Sequence, residues 1–304
     1  MNRDLSWWAS SISIENFEFM TRYIYWIAGI LALALPGALP LHAETIMQKD
    51  YLKGRDLLWI GVGSTIPLAI NYLVSDVDTA QKSLIPRPIL ADKWFQRKLG
   101  GEYHAGKTNF LDNSRGSAIT PGLFACVLLA ADFTWPEGKP GKDAGQDFML
   151  FHSGLMATKG VTGTAKGLVA RPRPFLYLYP DSVYKQEVDW HEAKKSFFSG
   201  HASSAFYSAT FLNKRLRMIM RQRLHVDEYR SWNWAPPLVL FGWSSYVGWT
   251  RIHAYKHYFS DVAIGALAGY LIAELFYSFG DQYSEKVSGA ETSTSPIFHL
   301  SFTF

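Results

Sequence analysis

With 304 residues, 48% of them hydrophobic and only 18% charged, the chain can build one large domain or two small ones around a sizeable core. The net charge of +4 and the scattered Lys and Arg exclude the basic footprint of a nucleic-acid binder. The single cysteine, Cys126, excludes an internal disulfide, and its apolar run Leu123-Phe-Ala-Cys-Val-Leu-Leu predicts a core position for it.

The first segment reads as an address. Arg22 precedes an apolar run from Tyr23 to Pro40, and Leu41-His-Ala43 offers small residues where a signal peptidase reads them. Residues 1–43 are therefore expected to be a secretory signal peptide cleaved before Glu44, with an N-terminal membrane anchor as the alternative and Met20 as a second candidate start. Residues 44–117 read as a helical and loop region, 118–280 as a helical core and 281–304 as a tail.

Helical periodicity predicts helices over Leu57–Val74, Ala118–Phe133, Phe148–Ala170, Ala202 to about Arg221, Pro237–Trp249 and Ser260–Phe279. The fold class is all-α, a bundle of about six core helices. Asp76 to Ser117 is a polar connection expected to hold short helices and to cover a site, while Pro136 to Gly145 and Trp232 to Pro237 are loops. Small residues recur at Gly154, Ala157, Gly160 and Gly163 and again at Gly265 and Gly269, where neighbouring backbones can approach closely. Only the tail, Ile297 to Phe304, alternates like a strand, and it reads as an edge strand or a docking peptide.

Three segments carry chemistry. In Thr250-Arg-Ile-His-Ala-Tyr-Lys-His-Tyr-Phe-Ser-Asp261, His257 and Asp261 lie four apart at a helix start and so on one face. A carboxylate there can accept one imidazole proton and leave the other nitrogen as a nucleophilic lone pair, while the planar guanidinium of Arg251 suits phosphate oxygens. Upstream lie Lys166-Gly-Leu-Val-Ala-Arg-Pro-Arg173-Pro174 and Ser196-Phe-Phe-Ser199-Gly200-His201, the latter opening an apolar helix whose free N–H groups favour an anion.

In this order and spacing the segments resemble the signature of the type 2 phosphatidic acid phosphatase and vanadium haloperoxidase superfamily: Lys-x6-Arg-Pro, then Pro-Ser-Gly-His, then Ser-Arg-x5-His-x3-Asp. Phe198 stands where the family has Pro, which removes a constraint on the turn before Ser199, and Thr250 stands where it has Ser, which keeps the hydroxyl. The resemblance implies an active site at one end of the bundle, with Lys166, Arg173, Ser199, Gly200 and Arg251 holding phosphate. It further implies His257, oriented by Asp261, as the nucleophile and His201 as the acid and then the base. No metal or other cofactor is implied, and vanadate is expected to inhibit. The alternative is a vanadium-dependent haloperoxidase, with vanadate as cofactor in the same pocket.

The expected substrate is a phosphorylated lipid or a small-molecule phosphate monoester, with no nucleic-acid partner; the oligomeric state is not legible. Six crossings counted from an exported Glu44 would put Lys166 and Arg173 in the cytoplasm, against the outward-facing site of the family's membrane members. The third helix also carries His152, Lys159 and several Thr, and the fourth apolar stretch runs only about thirteen residues before Lys214, short of a bilayer crossing. The expectation is an exported protein, periplasmic or otherwise extracytoplasmic, soluble or lying against a membrane surface, with an integral bundle as the alternative. His191 and Glu192 read as solvated, His253 as a packing or rim residue, and Arg171 as a contributor to the positive field without phosphate contact.

Overall fold

The computed structural model describes residues 52, 54–74, 83–101, 116–136, 140–178 and 190–288. The signal peptide, the cleavage point before Glu44 and the alternating tail from Ile297 lie outside these residues. Regular structure among the described residues is entirely helical: α1 (Gly54–Val74), α2 (Leu90–Leu99), α3 (Gly116–Thr134), α4 (Pro140–Val169), α5 (Phe175–Leu178), α6 (Trp190–Ala193), α7 (Gly200–Arg223), α8 (Val226–Trp232), α9 (Ala235–His253) and α10 (Phe259–Ser288). All six predicted helices are present, but α4 already begins at Pro140 and α9 at Ala235, inside stretches expected to be loops, α10 runs on to Ser288, and α2 and α6 supply short helices in the polar connections.

α7 is the axis of the bundle, packed against α3, α4, α9 and α10, while α1 lies along the outside of α4. Its Tyr207, Phe211 and Leu212 are buried with Phe124, Leu128, Phe151, Leu240 and Phe276 from the surrounding helices. The Tyr207 hydroxyl donates to the Phe151 carbonyl at 2.9 Å, as a buried phenol must find an acceptor. Towards the far end of α7, buried Arg215 pairs with Asp132 of α3 at 2.6 Å and with Asp147 of α4 at 2.9 Å. That cluster lies ~22 Å along the helix from Gly200, at 1.5 Å per residue.

The small residues set how closely the helices meet. A methyl group on Gly265 would come 2.7 Å from the Ser199 carbonyl oxygen, and one on Gly269 would come 2.1 Å from that of Ser203. α10 therefore rests directly on the first turns of α7.

Among the described residues, two helices turn apolar faces outward. Asp56–Val74 and Phe259–Phe279 are each long and apolar enough to cross a membrane, and only 11% of the first of these stretches is buried inside the protein. Leu58, Trp59, Ile66 and Leu73 of α1 and Leu267 and Leu271 of α10 face outward. A patch of this kind suits lipid rather than water. Cys126 is also exposed, contrary to the core position expected for it. α3 is apolar on every side, so its sequence carried no sign of which face turns inward.

The α7–α10 contact generates a test. Gly269→Ala should lower stability by about 1–3 kcal/mol, because the added methyl meets backbone rather than a movable side chain. Gly242→Ala, whose methyl would meet nothing within 4 Å inside α9, should leave stability unchanged or raise it by up to about 1 kcal/mol. Thermal unfolding of both variants in detergent measures the difference.

Candidate active site

The site forms where three chain reversals meet at one end of α4, α7 and α10. α4 ends at Val169, and Ala170 takes a left-handed φ of 47° while its N–H bonds back to the Lys166 carbonyl at 3.1 Å. This reversal turns Arg171 inward. The loop after it is tied down by backbone bonds from Arg173 to Ala193 at 2.9 Å and from Ser196 to Arg171 at 2.9 Å.

Ser199 then caps α7. Its hydroxyl accepts from the Ala202 N–H at 3.4 Å, and its own N–H donates to the Asp261 carbonyl at 3.0 Å. The side chain is fully buried. These bonds hold the turn that lacks the family's proline. A methyl built on Gly200 would lie 3.8 Å from Lys166 Nζ, so the N-terminus of α7 and the lysine share one space.

The third reversal joins α9 to α10. Arg251, in the last turn of α9 and 2% exposed, accepts backbone bonds from Lys256 at 3.1 Å and His257 at 3.2 Å. The nucleophile candidate is thereby folded back onto its cationic neighbour. His257 is 3% exposed, and its Nδ1 lies 2.6 Å from the Ser196 carbonyl oxygen. A carbonyl only accepts, so Nδ1 carries the proton and Nε2 keeps the lone pair.

Here the expected partner is corrected. Asp261 Oδ2 stands 3.9 Å from His257 Nδ1, beyond a hydrogen bond. The carboxylate instead accepts from the Ser196 hydroxyl at 2.5 Å, the Tyr258 N–H at 3.0 Å and Arg171 Nη1 at 2.5 Å. Ser196 bonds both residues, its hydroxyl donating to Asp261 and its carbonyl accepting from His257. The i, i+4 spacing brought the two residues to one face as expected, but Ser196 stands between their polar atoms.

Arg171 is more than a contributor to the field. It is 2% exposed and spans Asp261 and Asp92, the latter at 2.7 Å from Nη2. Asp92 comes from α2 within the polar connection, and no motif in the sequence pointed to it. Glu192, read as solvated, is exposed but pairs with Arg173 at 3.3 Å and Lys195 at 3.5 Å. His253 packs as expected, against Trp249 and Gly101, with Nδ1 3.1 Å from the Leu99 carbonyl oxygen.

The electrostatics follow from crowding cations in a dry corner. Burial, and then the neighbouring Arg173, lower the Lys166 ammonium to about 8. Burial, followed by Arg173, Lys166, Arg251 and His201, pushes His257 well below the usual imidazole range. The imidazole is therefore neutral at physiological pH. An anion among these groups would meet two guanidinium groups, an ammonium and a helix N-terminus.

The PAP2 superfamily model matches residues 148–284. Among curated relatives, human phospholipid phosphatase 2 is 36% identical over 147 residues, covering 41% of this chain and 48% of its own. The probable diacylglycerol pyrophosphate phosphatase 1 of Schizosaccharomyces pombe is 36% identical over 179 residues, 50% of this chain and 61% of its own. Lipid phosphate phosphatase 1 of Arabidopsis thaliana is 30% identical over 141 residues, 40% of this chain and 41% of its own. The chain thus spans about half the length of the curated relatives it matches. No solved structure matches it. The haloperoxidase alternative gains no support from these relatives. The matched residues contain all three segments and every predicted site residue from Lys166 to Asp261, so it is this stretch of the chain that matches the PAP2 superfamily and is similar to the phospholipid phosphatases.

Proposed function

We propose that this chain is a phosphatase acting on phosphate monoesters or pyrophosphates of lipids at a membrane, through a phosphohistidine on His257. The observation that carries the reading is a buried, neutral imidazole whose Nδ1 is bonded to Ser196, within the field of Lys166, Arg173 and Arg251. The names of the relatives, phospholipid phosphatase and diacylglycerol pyrophosphate phosphatase, support the lipid class. The outward apolar faces of α1 and α10 support a membrane setting, and we place the site on the exported side.

In the first step the Nε2 lone pair attacks phosphorus, the N–P bond forms as the ester P–O bond breaks, and His201 donates a proton to the leaving oxygen. In the second, water attacks phosphorus, its proton passes to His201, and the N–P bond breaks to release phosphate. Lys166, Arg173, Arg251, the Ser199 hydroxyl and the Gly200 N–H hold the equatorial oxygens. With three side-chain cations as the counter-charge, the chemistry runs on positioning and charge stabilisation.

The test of this reading is hydrolysis of radiolabelled phosphatidic acid in detergent micelles. Activity should persist in EDTA and be inhibited by vanadate; full loss on chelation, restored by a divalent ion, would reject the mechanism.

The two histidines should separate. His257→Ala should turn over neither p-nitrophenyl nor alkyl phosphates and trap no phosphoenzyme. His201→Ala should still be phosphorylated by p-nitrophenyl phosphate, whose leaving group needs little of the roughly 10²–10⁴-fold from acid catalysis, and should show a burst followed by slow turnover. Rapid-quench labelling distinguishes them, and label in His257→Ala but not in His201→Ala would reverse the roles.

Lys166 should also set the alkaline limb. A lysine lowered to about 8 is charged below that pH and loses its charge as pH rises through it, so kcat/KM should fall above about 8. In Lys166→Arg, which stays charged, the limb should move to higher pH. An unmoved limb assigns it to another group.

A further inference from the structure

We propose that Asp92, on α2 and outside the matched residues 148–284, is a positioning residue for His257. The inference rests on the phosphohistidine reading above. Asp92 has no exposed surface. Its Oδ2 accepts from Arg171 Nη2 at 2.7 Å, the Ser260 hydroxyl at 3.1 Å and the Ile89 N–H at 3.2 Å, and its Oδ1 accepts from the Ser260 N–H at 2.9 Å. One carboxylate thus fixes both a guanidinium and the first turn of α10.

A guanidinium is a rigid planar fork, so holding one arm sets the direction of the other. The other arm of Arg171 reaches Asp261 Oδ1 at 2.5 Å. Asp261 Oδ2 in turn holds the hydroxyl of Ser196, whose carbonyl holds His257 Nδ1. The chain of contacts from α2 to the imidazole is therefore Asp92, Arg171, Asp261, Ser196, His257.

α2 is suited to serve as a fixed support. Phe95 stacks on Phe259 with ring centroids 3.7 Å apart, and Gln96 Nε2 donates to the Ile252 carbonyl at 2.8 Å. Residues 92, 95 and 96 lie on one face of α2, and their partners flank the α9–α10 reversal that carries His257. Small misplacement of a reacting group is costly, with about 10²-fold lost for a 1 Å shift. Asp92 acts through other residues and touches no phosphate.

The test must separate positioning from support of the fold, and transient kinetics does so. Misfolding lowers the amount of active protein and hence the amplitude of a burst, whereas misplacing the imidazole lowers the rate constant. Full-length protein in detergent micelles is mixed with 32P-labelled p-nitrophenyl phosphate and quenched in alkali, which preserves phosphohistidine. In Asp92→Asn the phosphorylation rate constant should fall about 10–100-fold, with half-saturation by substrate little changed because Lys166, Arg173 and Arg251 are untouched. Adding Asp92→Asn to Arg171→Gln should lower the rate constant no further, as expected of residues acting in series.

A wild-type rate constant in Asp92→Asn, with only the amplitude reduced, would overturn the proposal, as would an additive double variant. Should the charge variants aggregate, Ser196→Ala breaks the same path while leaving every charge paired, and a wild-type rate constant there is equally fatal. Failure to trap label in wild-type protein would instead remove the phosphohistidine reading and this inference together.

Discussion

A carboxylate with no exposed surface is tolerated inside a protein only when its oxygens are bonded, because desolvating an unpaired charge costs several kcal/mol. Asp261 meets that requirement by recruiting a guanidinium from the reversal after α4, a hydroxyl from the loop before α7 and a backbone N–H from the reversal before α10. Its own carbonyl receives the N–H of Ser199, the cap of α7. Three stretches of the chain, at Arg171, at Ser196 to Ser199 and at Tyr258 to Asp261, are thus registered on one residue. The placement of His257 follows from this constraint, since Ser196, once held, presents its carbonyl to the imidazole.

Placing Lys166, Arg173, Arg251 and a helix N-terminus around a buried imidazole is unfavourable in an empty site. The depressed lysine and the depressed histidine both record it. Under the proposed function a dianionic phosphate would reverse the balance: it would add counter-charge and favour the charged lysine, so that charge crowding would be converted into ligand affinity.

The bundle was largely legible because its helices are long and periodic, and the three segments that gather at the site were legible because their spacing resembles a known signature. What escaped has physical reasons. The His257–Asp261 pairing was inferred from an i, i+4 spacing that fixes which face two residues share but not what lies between them, and Ser196 lies between them. Asp92 comes from a helix with no motif, and its role exists only through a contact 79 residues away in sequence. Cys126 turned outward because α3 is apolar all round, where hydrophobicity carries no direction. The same property hid how much of α1 faces outward: composition set the helix, and packing on α4 alone decided which side was covered.

α7 is held at two places, by the Ser199 cap at its start and by the buried Arg215 cluster towards its far end. A slip of one residue along its axis, ~1.5 Å, would unpair a guanidinium in a dry interior and lift the capping serine from α10 at the same moment. The helix therefore behaves as a strut with no screw motion available to it.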